Sequence, residues 1–492
     1  YLDSPWHVPQ QHADELNLNE EETRERLIDS MLAQVGWNVG PGRTSTITVK
    51  KHVSLPKPPP DTGMEEADYV LYDETGDIPL AVIEAKRTSR DALIGQRQAE
   101  SYADGLKNLT GHDTVIFLTN GYELWIWNRA RQEPKRRLFG FYSRDSLEYL
   151  IRKNRESKTL IYQVETDVYR DIAGRPYQIE AIKRIGEAFD QNKRRALLVQ
   201  ATGTGKTRVA VALSKVMIHA GRAKRILFLC DRRELRKQAK DAFEEHLPSE
   251  PVIYLKRNTY RDKSHRIYIA TYPAMIQYFQ SFDTGFFDLV IADESHRSIY
   301  NRYRDLFKYF DAFQVGLTAT PVKFVARNTY KMFGCDELDP TAKYEYGEAV
   351  EQGFLVPFKV VEHTTRFLRE GIKYSELNPH ERALLEEQVE NAEEFDYDSE
   401  QVDKRVFNRD TDRAILRNLM EKGIQNGDGS HIGKSIVFAR NHEHAMLMNE
   451  LFEEMYPQYG GKFCMVIDSK MERVEQLIDD FKNRVFYSKI KV

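Results

Sequence analysis

Cysteine is scarce in this sequence: the 492 residues include only three, Cys230, Cys335 and Cys464. These cysteines lie far apart and form no C-x-x-C pair, so the sequence offers neither a disulfide framework nor a thiolate metal site. A protein of this composition is typical of a reducing compartment, and we therefore expect a cytoplasmic location.

Long apolar runs are also lacking. No stretch approaches the ~18 residues that a membrane-spanning helix needs, and the first residues, YLDSPWHVPQQHADEL, have neither the basic start nor the apolar core of a secretory signal. The net charge of −4 excludes a uniformly basic coat for nucleic acid, although RAKRILFLCDRRELRKQAK (222–240) is a local basic run. We expect about three domains, because single cores stop growing at roughly 250–300 residues.

Short apolar runs divide the chain into blocks. Residues 1–150 form a strand-rich block, and 151–170 read as a polar connector. From 171 to 355, apolar runs alternate with helix-length segments, which is typical of a parallel sheet covered on both faces. These runs are 196–199, 226–230, 267–271, 287–292 and 314–317. A last block, 356–492, contains SIVFA (435–439) followed by a helical pattern. The predicted fold class is α/β.

The segment ALLVQATGTGKTRVAVAL (196–213) combines an apolar strand, a glycine-threonine turn and a helix. Glycines allow backbone N–H groups to surround phosphate oxygens, the lysine supplies positive charge, and the last threonine can place its hydroxyl on Mg²⁺. Gln200 stands where such loops usually have their first glycine. The expected ATP-binding residues here are Gly203, Thr204, Gly205, Lys206 and Thr207.

A second apolar run, in FDLVIADESHRS (287–298), ends in two acids. Asp293 is expected to hold Mg²⁺ through water, and Glu294 to orient and deprotonate the attacking water. Two acids after a strand are often only a surface pair, but their position downstream of a phosphate loop favours the catalytic interpretation.

These motifs resemble those of superfamily 2 helicases and translocases: ATGTGKT (201–207), DESH (293–296), GLTATP (316–321) and SIVFARN (435–441). The resemblance implies two RecA-like domains with ATP between them. It also implies that Gln178, in RPYQIEAI, reads adenine and that His296, Thr318 and Thr320 couple ATP to movement. The residues that it implies for DNA contact are Arg232, Arg233, Thr271 and Arg440.

Motifs V and VI of that family are not found before Val492. Motif VI supplies an arginine worth about 10³–10⁵ in rate. We therefore expect the second RecA-like domain to be partial, the sequence to be truncated, and ATP hydrolysis by this chain alone to be poor.

The segment ADYVLYDETGDIPLAVIEAK (67–86) reads as two strands joined by a polar turn. A hairpin centred on Gly76 places Asp68 opposite Glu84, and the period of two places Glu84 and Lys86 on one face. The two carboxylates, helped by the Ala85 carbonyl, offer hard oxygen ligands for Mg²⁺. Lys86 can orient or help deprotonate the water that attacks phosphorus.

This spacing resembles the PD-(D/E)xK nuclease pattern, with Ala-Asp in place of Pro-Asp. A bare D…ExK often arises by chance, but the following IGQRQAESYADGL (94–106) sets Gln98 and Tyr102 on one helix face. That pair resembles the Q-x-x-x-Y element of RecB-like nucleases, which flanks the metal and the DNA. Glu25, in the preceding acidic helix, is a further candidate ligand.

A nuclease followed by such a motor resembles the R subunit of Type I restriction–modification enzymes. The resemblance implies an ATP-dependent, site-specific deoxyribonuclease that pulls double-stranded DNA past itself and cuts away from the recognition site. It implies ATP and Mg²⁺ as cofactors, and methylation (M) and specificity (S) subunits as partners. Two alternatives remain: a helicase or repair remodeller whose first block only holds DNA, and a non-catalytic scaffold that uses ATP as a switch.

Overall fold

In a computed structural model of the chain, the described residues are 18–58, 61–166, 169–293, 297–320, 323, 325, 327–360, 372–373, 379, 382, 396–397, 409–425, 429, 431–461, 463–468, 474–482 and 490–491. The chain divides into two compact units, Tyr1–Pro357 and Phe358–Val492. The first unit contains two large sheets with different topologies. Among the described residues, we find no helix both long and apolar enough to span a bilayer.

The first sheet is mixed and has six strands in chain order. Only its two central strands, β3 and β4, run parallel; every other neighbouring pair is antiparallel. The strands are β1 (Val49–Pro56), β2 (Met64–Tyr72), β3 (Pro79–Ala85), β4 (Val115–Thr119), β5 (Leu124–Trp127) and β6 (Arg136–Leu138). Helical segments precede and cover this sheet: α1 (Glu20–Thr23), a π-helical turn (Arg24–Ile28), α2 (Asp29–Gln34), a 3-10 turn (Ala92–Gly95) and α3 (Gln96–Thr110).

The hairpin β2–β3 has the predicted register. Tyr69 pairs with Ile83 and Val70 with Val82, which centres the hairpin on Gly76, and a bulge follows at Leu71/Tyr72. Alternate residues of β3 enter different cores: Ala81, Ile83 and Ala85 join the core on one face of the sheet, whereas Val82 packs with helix α3 on the other. Glu84 therefore emerges on the face that α3 covers.

The second sheet has seven strands, all parallel to their neighbours, as the alternating pattern predicts. Its order is β13 (Ala342–Tyr344), β7 (Arg195–Gln200), β12 (Phe313–Thr318), β11 (Leu289–Asp293), β8 (Ile226–Cys230), β10 (Ile267–Thr271) and β9 (Val252–Tyr254). Along β7 and β8, alternate side chains enter two cores on opposite faces. This double burial explains why the strands are continuous apolar runs.

Helices cover both faces of the second sheet. Helix α4 (Arg144–Glu156) instead packs against the first sheet through Leu147 and Leu150. The helices on the second sheet are α5 (Leu160–Glu165), α6 (Pro176–Asp190), α7 (Lys206–His219), α8 (Arg233–His246), α9 (Tyr272–Tyr278), α10 (Arg297–Tyr309) and α11 (Arg327–Met332). Helix α12 (Tyr346–Glu351) follows β13. The segment 151–170, predicted as a polar connector, is largely helical. Leu160 and Val164 lie four residues apart on α5 and are buried in the core of the second sheet, because an apolar pair at this spacing forms one helix face.

The second unit contains three short parallel strands, β16 (Ser435–Ile436), β17 (Cys464–Met465) and β18 (Ile490–Lys491), with β18 in the middle. Among the described residues of this unit, the helices are α13 (Arg409–Lys422), α14 (His442–Met455) and α15 (Val474–Lys482). Two further short strands, β14 (Ile372–Lys373) and β15 (Asp396–Tyr397), pair antiparallel. The apolar run 435–439 forms a strand only over its first two residues, and Ile436 and Phe438 are exposed, contrary to a buried strand.

Candidate functional site

The β2–β3 hairpin brings Asp68 and Glu84 to the same end of the first sheet. Asp68 Oδ2 accepts a hydrogen bond of 2.7 Å from the backbone N–H of Ala85, the residue that follows Glu84. The side chain of Glu84 is only 2% exposed. A carboxylate in such a place needs a charged or hydrogen-bonded partner, because burial alone strongly disfavours its ionised form.

Lys86 supplies that partner and connects the hairpin to helix α3. Its Nζ donates to Glu84 Oε1 and, over 3.3 Å, to Gln98 Oε1. Gln98 Nε2 in turn donates to the Tyr102 hydroxyl at 2.5 Å. The structure thus brings together five of the six residues that the sequence predicted for this site, in one series of contacts running from Asp68 to Tyr102. Gln98, between Lys86 and Tyr102, is the exposed member of this series of contacts, whereas Tyr102 is buried.

Gly95 permits the close approach of α3 to the carboxylate. A Cβ at this position would lie 2.5 Å from Glu84 Cγ and 3.1 Å from Lys86 Cε. Such distances are below van der Waals contact, so any larger residue would push the Glu84 and Lys86 side chains away. This glycine was not among the predicted site residues, although its place just before the Q-x-x-x-Y helix was a usable signal.

Arg24 is the second residue that sequence analysis missed. Its Nη1 lies 2.5 Å from Asp68 Oδ1, and both side chains are largely buried. Glu20, one helical turn earlier, also contributes to the electrostatics of Asp68 and Glu84. Glu25, the predicted further ligand, is exposed and lies near Gly42. The reason is helical geometry: residues four apart share a face, whereas the next residue is turned by about 100°.

Both carboxyl groups of the pair resist ionisation. Burial, with the neighbouring charge of Asp68, raises the pKa of Glu84 to about 7, although Lys86 acts in the opposite direction. Burial also raises the pKa of Asp68, against the hydrogen bond from Ala85 and the charge of Arg24. Two acids held together in a partly desolvated place favour binding of an additional cation.

The donor set fits Mg²⁺ better than a transition metal. In the described part of the chain, no group of three or more His, Cys, Asp or Glu side chains is arranged to hold a metal ion. Mg²⁺, however, is usually bound by one or two carboxylates, with waters and substrate phosphates completing its shell. Asp68 and Glu84 supply two such carboxylates.

The predicted phosphate loop joins β7 to α7. Gly203 and Gly205 have φ values of +86° and +92°, a backbone conformation that favours glycine. Thr204 is buried, and its hydroxyl donates to the Ala201 carbonyl at 2.6 Å. Lys206 and Thr207 begin α7 and are half-buried. The N-terminus of this helix therefore opens onto the loop, an arrangement suited to phosphate.

Two glutamine side chains support this loop through the backbone carbonyl of Thr204. Gln178 and Gln200 each donate from Nε2 to the Thr204 carbonyl at 3.0 Å, and the Tyr177 hydroxyl donates to the same oxygen at 2.9 Å. Gln178 Oε1 also accepts from the backbone N–H of Arg175. The glutamine that replaces the usual first glycine is thus part of the loop's internal support.

Asp293 ends β11, two strands away from β7 in the sheet, and is buried. Thr318 ends β12, the strand between them, and its hydroxyl accepts from the backbone N–H of Thr320 at 3.2 Å. Because these strands are parallel, the loop, Asp293 and Thr318 all lie at the carboxyl ends of the strands, on the same side of the sheet. Glu294 and His296, predicted for catalysis and coupling, lie outside the described residues.

The residues predicted for DNA contact occupy strand ends. Arg232 is exposed just after β8, and Thr271 ends the adjacent β10, whose last residue pairs with the last residue of β8. The side chain of Arg233 lies outside the described part of the structure. Arg440 belongs to the second unit and is exposed just before α14.

Two segments of the chain match known protein families. Residues 57–135, which include the hairpin and all of α3, match "Type I restriction enzyme R protein N terminus". Residues 171–323, which include the phosphate loop, match "Type III restriction enzyme, res subunit". The chain resembles the R subunits of Type I restriction enzymes. Both matches fall on the residues that sequence analysis singled out.

Two relatives that align with most of this chain are consistent with this resemblance. The EcoAI endonuclease subunit of Escherichia coli is 28% identical over 451 residues, which is 85% of this chain and 52% of the relative. The EcoKI endonuclease subunit of Escherichia coli (strain K12) is 29% identical over 569 aligned residues, 95% of this chain and 46% of the relative. The chain thus spans about half the length of these two R-subunit relatives.

A solved fragment assigned to the HsdR subunit of a type I restriction enzyme from Vibrio vulnificus YJ016 is 24% identical to this chain. The match covers 96% of this chain and 83% of the fragment, with a TM-score of 0.48.

Proposed function

We propose that this chain acts as the restriction subunit of a Type I restriction–modification enzyme. It would use ATP to translocate double-stranded DNA and would cut that DNA, with Mg²⁺, away from the recognition site. The observation that carries the proposal is the network from Asp68 through Glu84 and Lys86 to Gln98, in the same compact unit as the phosphate loop. A module that only held DNA would gain nothing from two neighbouring carboxylates, which repel phosphate unless a cation lies between them.

We also propose the finer division of the fold. Residues 1–150 would form the PD-(D/E)xK nuclease, 171–355 the first RecA-like domain and 356–492 part of a second. The seven parallel strands with the phosphate loop at their carboxyl ends support the motor assignment. The short parallel sheet of the second unit supports a related fold there.

In the nuclease, each side chain would have a distinct task. Asp68 and Glu84 would hold the metal ion, and bound Mg²⁺ would lower the pKa of a water molecule and neutralise charge developing on the phosphate. Lys86, held between Glu84 and Gln98, would direct its ammonium group at the attacking water. Tyr102 would fix the amide of Gln98, so that the Lys86 side chain keeps one orientation.

In the motor, Lys206 and the loop N–H groups would bind the phosphates of ATP, and Thr207 and Asp293 would hold its Mg²⁺. Thr318, at the end of the strand between them, would sense the presence of the γ-phosphate. Partner M and S subunits would select the DNA target.

The test uses the full-length protein, assembled with M and S subunits, on unmethylated DNA. Lys86→Ala should reduce cleavage by about 10²–10⁴ while ATP hydrolysis continues; Lys206→Ala should abolish both. Two lysines serve as matched controls: exposed Lys107, on the same helix as Gln98, and Lys215, on the same helix as Lys206. Cleavage that persists in Lys86→Ala would favour a remodeller with a non-cleaving first domain instead.

A further inference from the structure

The Arg24–Asp68 ion pair occupies the carboxylate that the proposed nuclease needs for its metal. Arg24 Nη1 lies 2.5 Å from Asp68 Oδ1, and the Ala85 N–H donates to Asp68 Oδ2 at 2.7 Å. Each oxygen of Asp68 is therefore already bound to a protein donor. Glu84 has a comparable contact, since Lys86 donates to its Oε1.

The charges of this cluster explain why the ion pair matters. Asp68, Glu84 and nearby Glu20 carry up to three negative charges, and Arg24 and Lys86 carry two positive charges. A divalent cation that entered while Arg24 remained would leave a net positive cluster in a partly desolvated place, where like charges repel by several kcal/mol at short range. Either Arg24 must leave or an anion must arrive with the metal.

A phosphodiester group of DNA can meet both requirements: it supplies the negative charge, and it can draw the Arg24 guanidinium away from Asp68. Arginine binds phosphate through paired N–H donors and prefers it wherever planar, two-point contact is possible. The long Arg24 side chain starts from a π-helical turn, a local irregularity that is frequent at functional sites. Its guanidinium could leave Asp68 by rotation of the side chain, without movement of the helix.

We propose that Arg24 is a latch, which holds Asp68 away from the metal until a DNA phosphate takes its guanidinium. The inference rests on the proposed nuclease function and adds a regulatory step to it. The latch makes metal binding and DNA binding mutually dependent, so that the nuclease site binds metal weakly when DNA is absent. Arg24 is a positioning residue here, since it acts through Asp68.

The test measures Mn²⁺ binding by electron paramagnetic resonance to the full-length chain, without nucleotide. Arg24→Met removes the charge but keeps an apolar side chain of similar length, and it should bind Mn²⁺ at least about tenfold more tightly than wild type when DNA is absent. Arg26→Met is the matched control: it removes an exposed arginine from the same π-helical turn and should leave Mn²⁺ affinity unchanged.

A short DNA duplex provides the second arm. In the wild type, duplex should tighten Mn²⁺ binding, and Mn²⁺ should tighten duplex binding by the same factor, because such coupling is reciprocal. In Arg24→Met this coupling should shrink severalfold. The wild-type measurement stands even if the variant folds poorly, which melting curves would reveal; equal Mn²⁺ affinity with and without duplex would overturn the latch.

Asp68→Asn separates failure of the latch from failure of the nuclease. This variant should lose the Mn²⁺ site altogether. If it does so while Arg24→Met binds Mn²⁺ no better than wild type, the latch is wrong and the nuclease proposal stands. If Asp68→Asn retains wild-type Mn²⁺ binding, both the metal site and the latch that depends on it are wrong.

Discussion

Arg136 and Asp311 join the two sheets of the first unit through a two-point ion pair. Arg136 Nε and Nη2, on β6 of the first sheet, each donate to an oxygen of Asp311 at 2.9 Å. Asp311 lies just before β12 of the second sheet, and its carboxylate also contacts Arg194 at 3.0 Å and the Tyr142 hydroxyl at 2.6 Å. The side chain of Asp311 is only 7% exposed.

Loss of one partner from this cluster should be strongly destabilising. Asp311→Asn removes one of the two carboxylates that Arg136 and Arg194 share and leaves Glu133 as their remaining anion. One positive charge then lacks a partner in a largely buried place, and breaking a buried pair costs up to about 3–5 kcal/mol. The urea midpoint of unfolding should fall accordingly. Arg137→Met is the control, because Arg137 forms only a long contact with Glu123, at 3.5 Å, and is half exposed; that pair is worth at most about 1 kcal/mol. Equal midpoints for the two variants would contradict the role of Asp311.

The double variant Arg136→Met/Asp311→Asn tests whether the cost lies in the unpaired charge. Its urea midpoint should fall by less than the sum of the two single losses. The reason is that removing both partners leaves fewer charges unmatched. Purely additive losses would show that the two side chains stabilise the junction independently.

The same pair predicts a response to acid. Burial alone would raise the pKa of Asp311, but Arg136 and Arg194 hold it well below its ordinary value. Because the folded-state pKa is lower than the unfolded-state value of about 3.9, the stabilisation is complete above that value and is lost as the pH falls below it. Thermal midpoints between about pH 4 and pH 2 should therefore decline less steeply in Asp311→Asn than in the wild type. Parallel declines would exclude Asp311 as a source of the acid sensitivity.

Local patterns made much of the fold predictable. The β2–β3 register followed from one glycine turn, since pairing across a short hairpin is determined by its centre. The strands β8 and β10 have the predicted bounds, because strands buried on both faces are continuous apolar runs. Helical spacing predicted that Gln98 and Tyr102 share one face, whereas their place beside the carboxylates came from the resemblance to RecB-like nucleases.

What sequence analysis missed depends on contacts between distant residues. Arg24 reaches Asp68 across 44 positions, and no local period indicates such a pair. The Arg136–Asp311 pair spans 175 positions and joins two sheets, so neither residue stands out from an ordinary surface charge. Glu25 was chosen for its acidity alone. It follows Arg24 directly on the helix, so its side chain points in a different direction from that of Arg24 and lies near Gly42.

The glutamine at the start of the phosphate loop should matter for nucleotide affinity. Gln200→Gly restores the usual residue of such loops but removes the hydrogen bond from Nε2 to the Thr204 carbonyl. One such bond is worth about 0.5–1.5 kcal/mol, so binding of a fluorescent ATP analogue should weaken by roughly threefold to tenfold. Gln191→Gly, which changes a glutamine exposed just after α6, should leave it unchanged. Affinity equal to wild type in Gln200→Gly would show that Tyr177 and Gln178 support the loop without help.

Gly95 gives the sharpest test of the geometry around Glu84. Gly95→Ala places a methyl group where only 2.5 Å separates the Cβ position from Glu84 Cγ, so the Glu84 side chain must shift and Lys86 must follow. Since reacting groups misplaced by about 1 Å cost on the order of 100-fold, DNA cleavage should fall by about that factor, whereas ATP hydrolysis should be unaffected. Gly111→Ala controls for the loss of a glycine near α3, because no atom lies within 4 Å of a Cβ there, although its φ of +75° will lower stability slightly. Full cleavage by Gly95→Ala would mean that Glu84 does not need this position for the reaction.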